Sequence, residues 1–445
     1  MDQDHNQIPG TGTLGARLFF RALKSRNYRL FFMGQGISLI GTWTQQVAMS
    51  WLVYRLTGST ILLGSVAFCN QIPIFFLSPL AGVIVDRLER KRLILCTQAL
   101  SMLQALALAA LVLTHAVAVW HILALSLFIG VVNAFDMPTR QSFVIQMIEK
   151  KEDLGNAIAL NSAMFNGARF IGPSVAGILI AGLGEGICFL INGLSYIAVL
   201  AALLAIRVEP RGNGYGRKNF RRELLDGIAY AYNFKPILAI LALLSIFSLA
   251  GGPYIVLMPV FAKDVLHGGA QTFGFLMSAA GVGALASTVY LSARRTAQGL
   301  VKMIPLATVL FSFGITVFAL SRCFQLSLAA LCLAGFGMLA QIASSNTIIQ
   351  TVVDEDKRGR VMSLYTASFL GTMPFGNLLA GGAAEVIGVQ RTLLAGAAIC
   401  LLGGVIFACK LSRLQAMLNP AFEKLGTTSE ESPGKGVSAS ARKEG

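Results

Sequence analysis

The sequence predicts an all-α membrane protein of twelve transmembrane helices, folded as two six-helix bundles. Three observations carry that prediction. Apolar runs of 18 or more residues recur along the whole chain, each long enough to cross a ~30 Å hydrocarbon core. Lys and Arg fall almost entirely into alternate loops, so they sort to one side of a membrane. The second half of the chain also repeats the first at a fixed offset. Composition agrees with this reading. Hydrophobic residues make up 55% and charged residues 13%, with a mean hydropathy of +0.67. A soluble protein usually carries about 25% charged residues and needs them to cover its surface.

The elements follow in order. Residues 1–27 form a cytoplasmic N-terminal segment, polar and Gly-rich over 1–16. No short apolar core with a small-residue cleavage site precedes the first span, so this is not a cleavable signal peptide. Six spans, 28–55, 60–85, 92–114, 118–141, 154–182 and 186–206, make an N-terminal bundle over 28–206. A polar cytoplasmic linker, 207–235, leads to six more: 236–262, 272–294, 300–320, 325–350, 360–388 and 391–410. These make a C-terminal bundle over 236–410. Residues 411–445, rich in Ser, Gly, Lys and Glu, read as a disordered cytoplasmic tail.

Both termini in the cytoplasm put 31 of the 36 Lys and Arg on that side. Arg55, Lys263, Arg322 and Arg391 fall outside, and Arg169 lies within a span. The net charge of +15 is therefore topology and contact with anionic lipid, and it excludes a nucleic-acid partner. The repeat has an offset of 204 residues and carries Gln146, Gly155, Leu160, Ala163 and Phe165 onto Gln350, Gly359, Leu364, Ala367 and Phe369. It also carries Gly172, Ala176 and Gly177 onto Gly376, Ala380 and Gly381. Half-chain repeats of six spans are the build of a two-bundle transporter with its site between the halves.

Two motifs carry mechanism. The loop between spans two and three reads Gly82-Val-Ile-Val-Asp86-Arg87-Leu-Glu89-Arg90-Lys91-Arg92. Gly82 permits close helix approach, and Asp86 with the basic cluster can form ion pairs or meet helix ends. Span five carries Ala168, Gly172, Pro173, Ala176 and Gly177, small residues around a bend-inducing proline. The loop pattern resembles the loop 2–3 signature of the major facilitator superfamily, with Glu89 where that signature usually has Gly. The span-five pattern resembles the superfamily's export-associated motif, with Ala168 and Ala176 where Gly is commoner. Spans four and five, with Asn133, Asp136, Pro138, Arg140, Asn161, Asn166 and Arg169, resemble the branch holding enterobactin exporters and macrolide efflux pumps. The resemblance implies two bundles that rock about a central cavity, with the Gly82–Lys91 hairpin latching the outward-open state. The stretch after span eight, near Arg294 and Arg295, keeps positive charge but lacks the Asp, so the latch is asymmetric.

Ionisable groups inside spans are functional candidates. Asn133, Asp136 and Arg140 share one face of span four. Asp136 is either a structural partner for Arg87 or Arg90 in the hairpin, or a proton-coupling carboxylate. Arg169 sits mid-span on the face of Ser162, Asn166 and Pro173, where it holds an anionic substrate group or braces a polar network. Trp43, Gln46, Asn70, Gln341 and Asn346 are further cavity candidates, with hydrogen bonding between helices as the alternative.

The four histidines have no metal-ligand spacing, and the seven cysteines lie in apolar segments as small packing residues. There is no P-loop, HExxH or GxSxG element, so neither an enzyme, an ATP-driven pump nor a cofactor is expected. The expected function is proton-coupled efflux of a small organic molecule, a siderophore or an amphipathic drug. A monomer in a bacterial inner membrane would carry it out. Uptake or lipid transport by the same fold, and a non-transporting sensor, are the alternatives.

Overall fold

The computed structural model describes residues 21–148, 150–207, 229–230, 232–293 and 299–430. Of residues 78, 79, 82, 83, 86, 87, 151, 356 and 421–430 it describes the backbone alone. The described chain is helical, without strands among the described residues. The first bundle comprises α1 (Arg26–Thr57), α2 (Thr60–Arg87), α3 (Arg90–Leu113), α4 (Val119–Met147), α5 (Leu154–Leu183) and α6 (Glu185–Ala205). The second comprises α7 (Lys235–Val265), α8 (Ala270–Ser292), α9 (Leu300–Leu320), α10 (Phe324–Val352), α11 and α12 (Val389–Cys409). α11 is interrupted: Glu355–Thr366, a π turn over Ala367–Gly371, then Met373–Ile387. Ten helical segments are long and apolar enough to cross a membrane. The 32-residue α1 and the interrupted α11 complete the twelve.

Local chemistry explains the breaks. α7 carries π turns at Phe247–Gly251 and Phe261–Val265. The first precedes Gly252 and Pro253, which has no N–H to donate; the wider turn is closed by Gly252 N–H to the Phe247 carbonyl at 3.0 Å. The π turn in α11 similarly precedes Pro374. Gly184 (φ 83°) and Gly388 (φ 86°) stand between α5 and α6 and between α11 and α12. They are partners at the repeat offset, and both occupy the left-handed region open to glycine. The repeat therefore extends to the turns.

Because α1 to α12 alternate in direction, both ends of the chain lie at one face, the terminal face, and the other face is called distal. Four apolar clusters form among the described residues, three of them large. One runs through the distal halves of both bundles and includes Trp51, Phe189, Phe261 and Phe273. Another fills the terminal end of the first bundle around Tyr28, Phe31 and Phe143. The third fills the terminal end of the second bundle.

Two boundaries differ from the sequence expectation. α4 runs on to Met147 rather than ending near residue 141, even though it contains Pro138. The tail does not become irregular at residue 411: α13 spans Leu411–Glu430, and Leu414 and Leu418 are buried in the terminal core of the second bundle. Leu411, Leu414 and Leu418 recur at helical spacing, an amphipathic stripe that the polar average of the whole tail conceals. Residues 431–445 lie outside the described residues.

A candidate transport cavity between two seams

Two seams join the bundles. In one, α5 packs on α8. A Cβ on Gly274 would lie 2.5 Å from the Pro173 carbonyl oxygen, and one on Gly177 would lie 3.0 Å from that of Ala270. Ser278 donates to the Phe170 carbonyl at 3.1 Å, and its hydroxyl is 2.6 Å from that of Ser174. In the other seam, α2 packs on α11. A Cβ on Gly64 would lie 2.6 Å from the Asn377 carbonyl oxygen, and one on Gly381 would lie 2.6 Å from that of Thr60. Asn377 donates to Gln71 at 3.4 Å. Gly177 and Gly381 are repeat partners, so the seams are related by the same pseudo-symmetry as the sequence. The span-five motif is thus a close-packing strip in a seam: Gly177 faces α8, while Gly172 faces Trp43 of α1. Ala168, Gly172, Pro173, Ala176 and Gly177 are all buried.

The seams occupy the distal half, and the bundles part toward the terminal face. Gly167 lies two turns from Ser174 on the same face of α5, about 10 Å nearer the terminal face, and a Cβ there would meet nothing within 4 Å. Gly359, in the first segment of α11, also opens to space. The result is a cavity closed distally and open at the terminal face.

Arg169 stands at the head of this cavity, about 22 Å along α5. Its guanidinium carbon is 5.8 Å from the Trp43 ring centroid, and Trp43 meets Phe165 edge to face at 5.8 Å. No carboxylate pairs with Arg169 among the described residues. Asn166 is half-buried and donates to Ser162 of its own helix at 3.0 Å. Gln46 is exposed, and Asn70 is half-buried with its carbonyl against Gly130 of α4. Asn346 is half-buried and accepts from Gln350 at 2.8 Å. Gln341 does not reach the cavity in this state. It is fully buried inside the second bundle, and neither atom of its amide group has a hydrogen-bond partner among the described residues.

Asp136 is buried, and both carboxylate oxygens are engaged within the first bundle. Oδ1 accepts from Thr97 at 2.8 Å and from Gln98 at 2.7 Å, both on α3, and Oδ2 pairs with Arg140 one turn along α4. Its described partners therefore come from α3 and α4. Because α4 is longer than expected, Asp136 sits three turns from the helix end. The side chains of Gly82, Asp86 and Arg87 lie outside the described residues. Lys91 donates to the Ile206 carbonyl at 2.6 Å and the Leu204 carbonyl at 3.4 Å, satisfying the C-terminal end of α6. Glu89 pairs with Arg92 at 2.5 Å, and Arg90 is half-buried beside them.

Several groups escaped the sequence reading. Gln45, Gln104 and Asn192 form an amide chain through α1, α3 and α6, with links of 2.9 and 2.7 Å. At the distal face, Tyr54 of α1 donates to Asp264 of α7, and Lys263 lies 5.3 Å from the Tyr54 ring. Glu385, near the distal end of α11, accepts from the first residues of α2. The amide chain joins residues 59 and 147 positions apart and the distal contacts join residues 210 and 325 apart, and pairing at such separations leaves no local pattern in the sequence. The seven cysteines are free, and Cys96, Cys323 and Cys409 are exposed rather than packed.

Two pseudo-symmetric bundles, sealed at one face around a central cavity with Arg169 at its head, define a membrane transporter of the major facilitator fold. Solved structures agree on that fold. A POT family transporter in complex with a thioalcohol conjugated peptide superposes with a TM-score of 0.72 at 11% identity, covering 87% of this chain and 96% of that one. A bacterial homologue of the human lysosomal transporter Spinster, inward-facing and occupied, gives 0.68 at 12% identity, covering 88% and 97%. The chain belongs to the transmembrane secretion effector family, whose profile matches residues 19–428. Among curated relatives, the staphyloferrin A transporter of Staphylococcus aureus is 27% identical, covering 82% of this chain and 91% of that protein. The multidrug efflux pump Tap of Mycolicibacterium fortuitum is also 27% identical, covering 86% and 93%. Macrolide efflux protein A of Streptococcus pyogenes is 22% identical, covering 87% and 95%.

Proposed function

We propose that this protein is a secondary active exporter that carries an anionic, amphipathic small molecule out of the cytoplasm across a bacterial inner membrane, in exchange for protons. The observation that carries this reading is Arg169. A guanidinium near mid-membrane, beside Trp43 and Phe165 and without a carboxylate partner among the described residues, is costly unless a ligand or water meets it. A carboxylate- or hydroxycarboxylate-bearing molecule with an apolar body would satisfy both the charge and the two rings. The named relatives, a staphyloferrin A transporter and two efflux pumps, support export of a small molecule.

The orientation follows from the cations: the terminal face is cytoplasmic, and the described state is open to the cytoplasm, ready to load. Each chain holds both bundles, so a monomer is the transporting unit. Inverted vesicles with an acidic interior provide the test. They should accumulate a carboxylate siderophore, and Arg169→Gln should reduce that accumulation about tenfold or more, the value of one charge-assisted hydrogen bond. Accumulation of cationic dyes alone, or an Arg169→Gln variant that moves the anion at the normal rate, would refute the anionic-cargo reading. Transport in the opposite direction would refute export.

A further inference from the structure

The two seams are not equal, and the difference lies in one carboxylate. Glu385 of the second bundle accepts from the Thr60 backbone N–H at 2.8 Å, the Ser59 hydroxyl at 3.2 Å and the Ile61 N–H at 3.3 Å, and shares the Thr60 hydroxyl, at 2.8 Å, with the Gly381 carbonyl of the same helix, also at 2.8 Å. These donors open α2, in the first bundle. A helix begins with backbone N–H groups that its own turns cannot satisfy, and its N-terminus carries a partial positive charge. Glu385 thus acts as a helix cap supplied from the opposite bundle. The repeat partner of Glu385 is Ala181, at the equivalent place in α5. No side chain caps the start of α8, the helix that α5 meets. One seam therefore closes on glycine and serine packing alone. The other closes on the same packing with a charged cap added.

We propose that Glu385 is the latch of the distal gate: its cap on α2 holds the bundles shut at the periplasmic face, and its release permits outward opening. The geometry requires that link. When the bundles rock apart distally, α2 and α11 separate, and the four bonds to Glu385 break together. Tyr54 and Asp264 add a second contact across the same cleft, which Thr60, Glu385 and Val389 also line. Glu385 is exposed, so water weakens the cap, but four donors converging on one carboxylate set it apart from an ordinary surface pair. The proposal rests on alternating access and not on the identity of the cargo, so it stands or falls separately from the anionic-cargo reading.

Hydrogen exchange of the purified full-length protein tests the latch. Glu385→Ala should speed exchange about three- to tenfold at residues 60–64, the range for losing a helix cap. It should speed exchange equally at residues 170–177 and 270–281, in the seam that Glu385 does not touch, because both seams open together. Residues 94–108, inside the first bundle, should be unchanged, which separates opening from unfolding. Glu385→Gln, which keeps an acceptor oxygen, should lie between the variant and the native chain. Thr60→Val, which removes a donor from the other side, should act in the same direction if Glu385→Ala does not fold. Acceleration confined to residues 60–64, or none in any of the three variants, would overturn the proposal.

Discussion

Replacing Asp136 with asparagine separates the two roles open to that residue. The native carboxylate is 1% exposed and receives three donors: Thr97 at 2.8 Å, Gln98 at 2.7 Å and Arg140. An asparagine keeps one acceptor oxygen but turns an NH₂ group or a neutral oxygen toward the Arg140 guanidinium. Removing one member of a fully buried ion pair costs about 3–5 kcal/mol. The Arg140 side chain keeps 25% exposure, so water offsets part of that, and the expected loss is about 2 kcal/mol. The network has little slack, because Gln98 Oε1 and Arg140 Nε have no partner among the described residues. Spread over a chain of 445 residues, the loss lowers the unfolding midpoint by about 2 °C. Thermal unfolding followed by intrinsic fluorescence is the assay, run on Asp136→Asn, Arg140→Gln and the double variant. Each single variant should be less stable than the native chain. The double should lose less than the sum, with a coupling of about 1–2 kcal/mol. A coupling of zero would refute the ion-pair argument. A normal midpoint in Asp136→Asn, together with loss of proton-driven transport, would assign Asp136 to coupling instead.

Three further outcomes follow from the geometry. Gly274→Val places a branched side chain where a Cβ already lies 2.5 Å from the Pro173 carbonyl oxygen, so the α5–α8 seam should part. Transport in proteoliposomes should fall at least about tenfold, as a strain of more than ~1.4 kcal/mol requires, while Gly182→Ala, which meets nothing within 4 Å, should transport normally. Lys91→Gln removes the ammonium that satisfies the carbonyls of Leu204 and Ile206, and should destabilise the end of α6 by about 1 kcal/mol, read as faster exchange at residues 203–206. Truncation after Lys410 removes Leu414 and Leu418 from the terminal core of the second bundle, and should cost about 3 kcal/mol of thermal stability if α13 is part of that bundle. An unchanged midpoint would show that it is not.

The helices were legible because a bilayer admits few alternatives: a span must be long, apolar and internally hydrogen-bonded. The two-bundle plan was legible in the repeat, and the matching positive φ of Gly184 and Gly388, identical at the same offset, extends the repeat to backbone conformation at the turns. The site was legible only in part. Arg169 announced itself by depth, since a charge inside a span is conspicuous in any sequence. Gln341, a weaker cavity candidate with hydrogen bonding between helices as its alternative, is buried within its own bundle, because helical spacing fixes which residues share a face but not what that face meets. Asp136 was visible, but Thr97 and Gln98 were not, since ordinary polar residues in an apolar helix carry no label. Glu385 was hidden for a different reason. It sits at the end of a span, where a carboxylate is unremarkable, and its meaning depends wholly on the helix start it meets across the interface.

That interface shows how duplication and divergence divide the work. Two halves that share a glycine strip would by themselves give two equivalent seams, each indifferent to charge. Gly177 and Gly381 preserve that shared part. The groups that would let a seam respond to a ligand or an ion are those the repeat does not preserve: Glu385 opposite Ala181, and the Asp86 loop opposite a stretch with cations only. Glu385 stands at the distal face, across the seam from the start of α2, and the Asp86 loop joins α2 to α3 at the terminal face. The glycine strip makes the close packing possible, and the charged element biases how often it opens. The two contributions should therefore be separable. Substitutions in the glycine strip should disturb packing whether or not Glu385 is present, whereas Glu385→Ala should have little further effect in Gly274→Val, whose seam is already parted. Additive effects on exchange at residues 60–64 in that double variant would mean that the two seams open independently, and the rigid rocking of one bundle against the other would have to be given up.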